Sequence, residues 1–388
     1  MMYRTVRLMT MVSPFVVLLL LTCRASGKDV KFGHAIVIDD STDGPYSVCA
    51  ADLDGDSDQD LLVAFWDAET ISWFENSDGA GNFGSAKTIA SNVGKASDAI
   101  AVDIDSDGDM DVISASNETG KIAWYENLSV AGEFSEEHVI TSDAEGVYSI
   151  YAADLDGDGD KDVLSASWND TKIAWYENIN GEGEFGLQRV ITDSAIGGHS
   201  VIAADLDGDE DLDVAYAASE INQIAWCANI DGKGTFGTPT VLSSSAKHAF
   251  SVFASDLDND ADIDLLSTSS LDNKIAWFEN TDGAGSFSQQ RIISEFALGA
   301  VDAIAVDIDD DGNLDVLSAS NISNTIEWFE NASGKGDFNP PQLISDRAVY
   351  IMYLCAADFD GDGDIDVVST SRMKDMIVWY RNSGLHLR

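Results

Sequence analysis

Asp154-Leu-Asp-Gly-Asp-Gly-Asp-Lys-Asp162 alternates carboxylates with other residues, and it decides the fold because it recurs. Its first Asp falls at Asp52, Asp103, Asp154, Asp205, Asp256, Asp307 and Asp358, at intervals of 51 residues without slippage. A period of this size marks a repeat architecture, in which one small unit stacks against copies of itself. The object to explain is one 51-residue unit, present seven times.

Every copy has Asp at positions 1, 3, 5 and 9 of the loop. In chain order these are Asp52, Asp54, Asp56 and Asp60; Asp103, Asp105, Asp107 and Asp111; Asp154, Asp156, Asp158 and Asp162; Asp205, Asp207, Asp209 and Asp213; Asp256, Asp258, Asp260 and Asp264; Asp307, Asp309, Asp311 and Asp315; Asp358, Asp360, Asp362 and Asp366. Calcium takes roughly six to eight oxygen ligands and tolerates irregular geometry, so a tight loop that turns these carboxylates toward one point suits it. Position 7 can add a backbone carbonyl, from Asp58, Asp109, Asp160, Asp211, Asp262, Asn313 or Asp364. Position 4 is Gly, Ser, Asn or Asp, residues that accept turn and left-handed geometry. One such loop would read as a solvated acidic turn; seven with the same four carboxylates predict up to seven bound Ca2+ ions.

An EF-hand needs Glu at position 12 and flanking helices. Here position 12 is Val63, Ser114, Ser165, Tyr216, Ser267, Ser318 or Ser369, and the flanks read as strands. No loop contains His or Cys, and hard oxygen ligands disfavour transition metals. Glu210 and Ala261 stand at position 6, where most loops have Gly, so blades four and five are expected to bind more weakly.

The chain has 388 residues and a formal charge of −48. The loop carboxylates, four in each of seven loops, are 28 of its 69 acidic residues, and the rest make a generally acidic surface. Such a surface argues against nucleic acid or anionic membrane as partners. Hydrophobic residues at 45% and nine Trp argue for a packed core.

Residues 1–25 read as a secretory signal. Arg4 and Arg7 precede the apolar run Phe15–Leu21, and Cys23 and Ala25 are small residues suited to a cut after Ala25. A bilayer span needs about twenty apolar residues. This run is shorter and follows Ser13-Pro14. The expected location is secreted or extracellular, with cell-surface or periplasmic as the alternative, and no span in the mature chain. Residues 26–388 are expected to form a single domain.

Each repeat reads as four short strands. Strand A ends at the Asp loop, as in Ser47–Ala51, and strand B follows it, as in Asp162–Ala166. Strand C is Ile-Ala-Trp-Tyr-Glu-Asn or a close variant. Its Trp is unbroken through Trp73, Trp124, Trp175, Trp226, Trp277, Trp328 and Trp379, and packing between neighbouring sheets accounts for it. A Gly-rich turn and strand D follow. Four strands repeated seven times describe an all-β, seven-bladed β-propeller. The seventh repeat stops after strand C, while His34-Ala-Ile-Val-Ile38 is an orphan strand D at the other end. Residues 32–38 are therefore predicted to pair with 375–381 and close the ring.

The Asp loop followed by an apolar strand, with Gly-x-Gly-x-Phe-Gly downstream, resembles the FG-GAP repeats of integrin α-subunit propellers and their VCBS relatives. The resemblance covers residues 30 to 383. It implies a seven-bladed propeller with the Asp loops as calcium sites joining strands A and B on one face. Propellers of this kind serve adhesion receptors, lectins and some polysaccharide-degrading enzymes, so fold alone does not choose a function.

Cys49, Cys227 and Cys355 remain after signal removal. Cys49 and Cys355 are equivalent positions in blades that meet at the closure, and ring symmetry points their side chains the same way round. Three free, buried thiols are predicted. Sequons occur at Asn117, Asn127, Asn169, Asn321 and Asn331.

The leading functional expectation is a calcium-binding module for an extracellular protein or glycan, monomeric. The alternatives are a polysaccharide lyase or hydrolase, or a structural surface or matrix component. No His pair stands out in sequence, and no Gly-x-Ser-x-Gly elbow occurs. The face opposite the Asp loops is built from connections that vary from blade to blade. There Tyr46, Trp66, Tyr148 and Trp168 are amphipathic aromatics suited to anchor a ligand, which favours the sector of blades one and three.

Overall fold

In the computed structural model, which describes residues 27, 28, 30–129 and 132–384, the chain folds into seven four-stranded antiparallel sheets in a propeller ring. The expected signal segment lies outside the described residues. Blade three is representative: strand A is Val147–Ala153, B is Asp162–Ser167, C is Ile173–Tyr176 and D is Arg189–Thr192. These pair in chain order from the axis outward. Strand B is buried along its whole length, as in Asp162–Ser167 and Asp366–Ser371, because neighbouring blades cover both of its faces.

Strand A is innermost, so one of its edges has no strand to pair with. Edge N–H groups need acceptors. In five blades they find them in the preceding blade, at the residue five places before its loop. The N–H of Ala99 donates to Ser47 Oγ (3.1 Å), that of Ile150 to Asp98 Oδ2 (3.0 Å), that of Val252 to Ser200 Oγ (3.2 Å) and that of Leu354 to Asp302 Oδ2 (2.9 Å). Asp98 and Asp302 are thus buried carboxylates near the axis. Burial pushes their pKa values up to about 6 and about 7, against the lowering effect of the N–H donors.

The strand C Trp series packs between blades. A Cβ on Gly183, Gly234 or Gly336 would collide with the ring of Trp124, Trp175 or Trp277 of the preceding blade, and these glycines have φ of +79°, +73° and +65°. Only glycine meets both demands, which explains the Gly-rich turn after each strand C.

The ring closes as the termini predict. Ile36–Asp39 is the outer strand of blade seven, with Ile36 opposite Trp379 and Val37 opposite Val378. Phe32 bridges to Asn382, one residue beyond the expected span, and the Gly33 N–H donates to the Arg381 carbonyl at 2.8 Å. Cys49, Cys227 and Cys355 are free thiols, though Cys49 is half-buried rather than buried, its thiol donating to the Ala99 carbonyl of the next blade at 3.7 Å. Burial pushes the thiols of Cys49 and Cys227 up to about 12.

Candidate functional site

The two faces of the ring are built differently. One carries the Asp loops. Positions 4 and 6 are left-handed in all seven, from Gly55 (φ +75°) and Ser57 (φ +75°) to Gly361 (φ +70°) and Gly363 (φ +86°). These two reversals wrap the loop so that its N–H groups point at its own carboxylates. In loop three Asp154 accepts from Gly157 (2.8 Å) and Gly159 (3.0 Å), and Asp158 accepts from Asp160 (3.0 Å). Asp162 at position 9 is buried and accepts from Leu155 (3.0 Å) and Asn178 (2.9 Å).

Carboxylate oxygens of Asp52, Asp54 and Asp60 lie within 4.8 Å of one another, as do those of Asp103, Asp105 and Asp111, of Asp154, Asp156 and Asp162, and of Asp205, Asp207 and Asp213. The position 3 residues carry the test of fit. Oδ1 of Asp54, Asp156, Asp207, Asp258 and Asp309 is buried with no hydrogen-bond partner. Burying such an oxygen without a partner is unfavourable, and a hard cation would satisfy it. Burial first, and then the neighbouring carboxylates, raise the pKa of Asp54, Asp105, Asp156 and Asp207, and push Asp258 and Asp309 up to about 6. Burial likewise takes position 9 to about 6 in Asp60 and about 7 in Asp162 and Asp366. The donor set fits a divalent cation held by oxygen. The side chain at position 7 turns away from the loop toward the first glycine of the next turn, as Asp160 does toward Gly181, which leaves position 7 its carbonyl.

Two features of this face do not follow from the repeat pattern. The Asn ending each strand C clamps the loop of the preceding blade: Asn127 Nδ2 donates to the Leu53 carbonyl (2.9 Å), Asn229 to Leu155 (2.8 Å), and Asn76 to Phe359 across the closure (2.8 Å). The Glu before that Asn adds negative charge beside position 3, Glu75 against Asp54 and Glu177 against Asp156. Blade four has Ala228 in its place and blade seven has Arg381, and both breaks in the motif are visible in the sequence.

The opposite face opens into a funnel on the axis, with a cavity of about 420 Å3. Tyr46, Trp66, Tyr148 and Trp168 all line it, but they do not form a separate sector. They meet residues from blades four to seven: His199, His248, Phe250, Ser270, Asn321, Tyr350, Met352 and Arg372. Trp66 stacks on Tyr148 (5.8 Å), Tyr148 on His199 (4.7 Å), and His199 packs on Phe250 (3.7 Å). Tyr46 and Trp66 are buried, while Tyr148 and Trp168 are half-buried. Arg372 lies over the Trp66 ring at 4.9 Å, held by two 2.8 Å bonds to Asp67. Burial pulls the His199 pKa down to about 3, so its imidazole is neutral.

The corner eight residues before each loop is left-handed in every blade. Four blades meet this with Gly44, Gly146, Gly197 and Gly299; the others place Lys95 (φ +52°), His248 (φ +56°) and Tyr350 (φ +55°) there. His248 and Tyr350 line the funnel, and His248 Nδ1 is 2.9 Å from Ser270 Oγ. The ring brings together histidines that the sequence leaves 49 residues apart, at His199 and His248.

The ring of seven Asp-loop blades defines a class of repeat propeller, and comparison places the chain within it. Six overlapping matches to the FG-GAP-like repeat cover residues 52–114, 103–165, 157–216, 205–267, 256–318 and 307–369. The chain belongs to the FG-GAP-like repeat family. No curated protein matches it. Among solved structures it is similar to an Agrocybe aegerita lectin described as recognising non-reducing terminal N-acetylglucosamine, with a TM-score of 0.60 and 18% identity over 85% of this chain and 86% of that one. It is also similar to BBS1N, solved in complex with ARL6DN, with a TM-score of 0.61 and 8% identity over 91% and 96%. Virginiamycin B lyase from Staphylococcus aureus is a third, with a TM-score of 0.59 and 14% identity over 90% and 99%. At these identities the likeness is one of fold.

Proposed function

We propose that this chain is a secreted, calcium-binding propeller whose axial funnel binds a glycan. The observation that carries the reading is the placement of bulky residues where the backbone asks for glycine. A side chain in the left-handed region costs about 1–2 kcal/mol relative to an ordinary conformation. His248 and Tyr350 accept that cost at the funnel, where four blades have Gly and blade two has Lys95. Local strain of this kind is retained where a side chain has a task. The funnel's size, its aromatic faces and its fixed polar groups Asn321, Ser270 and Arg372 suit a sugar, whose C–H faces stack on rings while its hydroxyls take hydrogen bonds. The lectin among the structural neighbours is consistent with this, as a likeness of fold.

The test is a glycan array probed in calcium with the wild type, Trp168→Ala and the double variant His248→Gly/Tyr350→Gly. The reading requires at least one glycan to bind and both variants to lose it while remaining folded. Binding unchanged in both variants places the site elsewhere.

One observation favours a second reading, a protein partner. The residue after the funnel position is Asp67, Glu118, Asn169 or Glu220 in blades one to four, but Leu271, Ile322 and Met373 in blades five to seven. These three are 68%, 63% and 66% exposed. An apolar arc on one side of the rim is the kind of surface a protein covers. Leu271 and Ile322 also edge the funnel, so the discriminating variant is Met373→Asp, outside it, which weakens partner binding on that reading and spares a monosaccharide in the funnel.

A further inference from the structure

Loop seven differs from its six counterparts at a residue outside the loop. Strand C of blade seven ends in Arg381, where five blades have Glu and blade four has Ala228. The guanidinium of Arg381 turns back into its own loop. Nη2 lies 3.0 Å from Asp362 Oδ2, at position 5, and Nε pairs with Asp360 Oδ2, at position 3. Position 3 has a buried oxygen without a hydrogen bond in five of the other loops and in loop seven too, but only in loop seven does that oxygen, Asp360 Oδ2, meet a guanidinium as its ion-pair partner.

A second cation comes from the N-terminal segment. Lys28 Nζ is 3.0 Å from Asp364 Oδ1 and 3.3 Å from the Gly363 carbonyl, and it also reaches Asp310 of loop six at 3.1 Å. Loops with a strand C Glu gather negative charge around position 3; loop seven is met by Arg381 on the strand C side and by Lys28 on the other. An incoming divalent ion would have to displace a guanidinium hydrogen-bonded to Asp362 and ion-paired with Asp360, and then tolerate that charge nearby.

We propose that the seventh Asp loop is occupied from within by Arg381, with Lys28 at its rim, and takes no divalent ion, so that the chain holds at most six. This rests on the reading of the other loops as calcium sites. It has a structural consequence: the blade in which the two chain ends meet is fastened by the chain's own cations and not by an ion that can be withdrawn.

The experiment is equilibrium dialysis of the folded chain at saturating calcium, with bound metal counted by mass spectrometry, for the wild type, Arg381→Ala and Arg381→Glu. Alanine is already present at the equivalent place in blade four, and glutamate in five others, so both variants suit the fold. Each variant is expected to bind one ion more than the wild type. Equal stoichiometry in all three overturns the proposal, and so does a wild type that binds seven. No bound calcium in any of them overturns the calcium reading, and this inference with it, and is told apart from the first result by the wild-type count alone. Hydrogen exchange gives a reading without variants. Chelation is expected to raise exchange in the loop at residues 154–162 and leave that at 358–366 unchanged; equal deprotection of both loops overturns the proposal.

Discussion

Asn127 of blade two donates its side-chain amide to the carbonyl of Leu53 in the loop of blade one, and its own N–H to Asp111 Oδ1 at 2.8 Å in the loop of blade two. One residue therefore ties two consecutive Asp loops, and the same bonds recur at Asn178, Asn229, Asn280 and Asn331.

Removing this clamp leaves a buried carbonyl without its donor, which costs about 1–3 kcal/mol. Asn127→Ala is expected to lower the melting temperature by several degrees, and Asn169→Ala, on an exposed loop, to leave it unchanged. The same geometry sorts the sequons. Asn127 and Asn331 are 2% and 0% exposed with their amides committed, and Asn117 donates to the Val147 carbonyl at 3.1 Å. Folded protein recovered from a glycosylating host is expected to carry glycan at Asn169 and none at Asn127 or Asn331, as read by peptide mass mapping.

On the proposed reading, calcium binds the native loops and not the unfolded chain, and is expected to contribute to stability in proportion to the logarithm of its concentration. With a dissociation constant of about 0.1–1 mM, each filled loop adds on the order of 1 kcal/mol at millimolar calcium. Chelation is expected to lower the melting temperature sharply, with recovery on adding calcium and little on adding magnesium. A melting curve indifferent to chelator would remove the metal from the account.

The acid–base behaviour of Asp302 supplies a test near the axis. Its pKa in the folded protein, about 7, lies above the 3.8 of an ordinary aspartate because burial disfavours the charged form. Between these values the native state keeps a proton that the unfolded chain has lost. The contribution to stability is therefore greatest below about pH 4 and declines as pH rises toward 7, at a rate of about 1.4 kcal/mol for each tenfold fall in proton concentration. The difference in stability between wild type and Asp302→Asn, measured by urea unfolding at fixed calcium, is expected to shift in favour of the variant across that window. A difference independent of pH would show that Asp302 does not titrate there.

Glu210 and Ala261 hold φ of +74° and +77° at position 6, where Gly108, Gly159, Gly312 and Gly363 hold the same region without strain. Replacing either with Gly relieves left-handed strain at the expense of some chain entropy, for a net gain of about 0.5–1 kcal/mol. Both variants are expected to melt higher, and to bind calcium in their own loop more tightly if the strain opposes metal binding.

Much of the fold is legible because a ring of identical units writes its own period. The 51-residue interval, the unbroken Trp of strand C and the orphan strand at His34–Ile38 each correspond to one feature of the blade or of its closure. The funnel is only half legible. Tyr46 and Trp66 stand out in one blade and Tyr148 and Trp168 in another, but the axis that brings His199, His248 and Arg372 against them exists only once the ring is closed. The Asn at the end of strand C reads as part of a motif and not as a clamp, because its partner lies 74 residues earlier, at the loop of another blade. Arg381 is hidden for the opposite reason: it breaks a local pattern whose Ile and Trp dominate the reading.

The seam of the ring also fixes how the molecule can be displayed. Blade seven is interrupted between its third and fourth strands, on the side of the Asp loops, and there Phe32 and Asn382 lie side by side. Lys28 and Gly384 both contact Asp364 there, so a group attached at either residue leaves from beneath the ring. The funnel then faces away from the attachment and stays open to solution. A probe coupled at either of these two positions should report the same occupancy of the funnel, whereas coupling through Lys95, which sits over Trp66 at 6.0 Å, should block it.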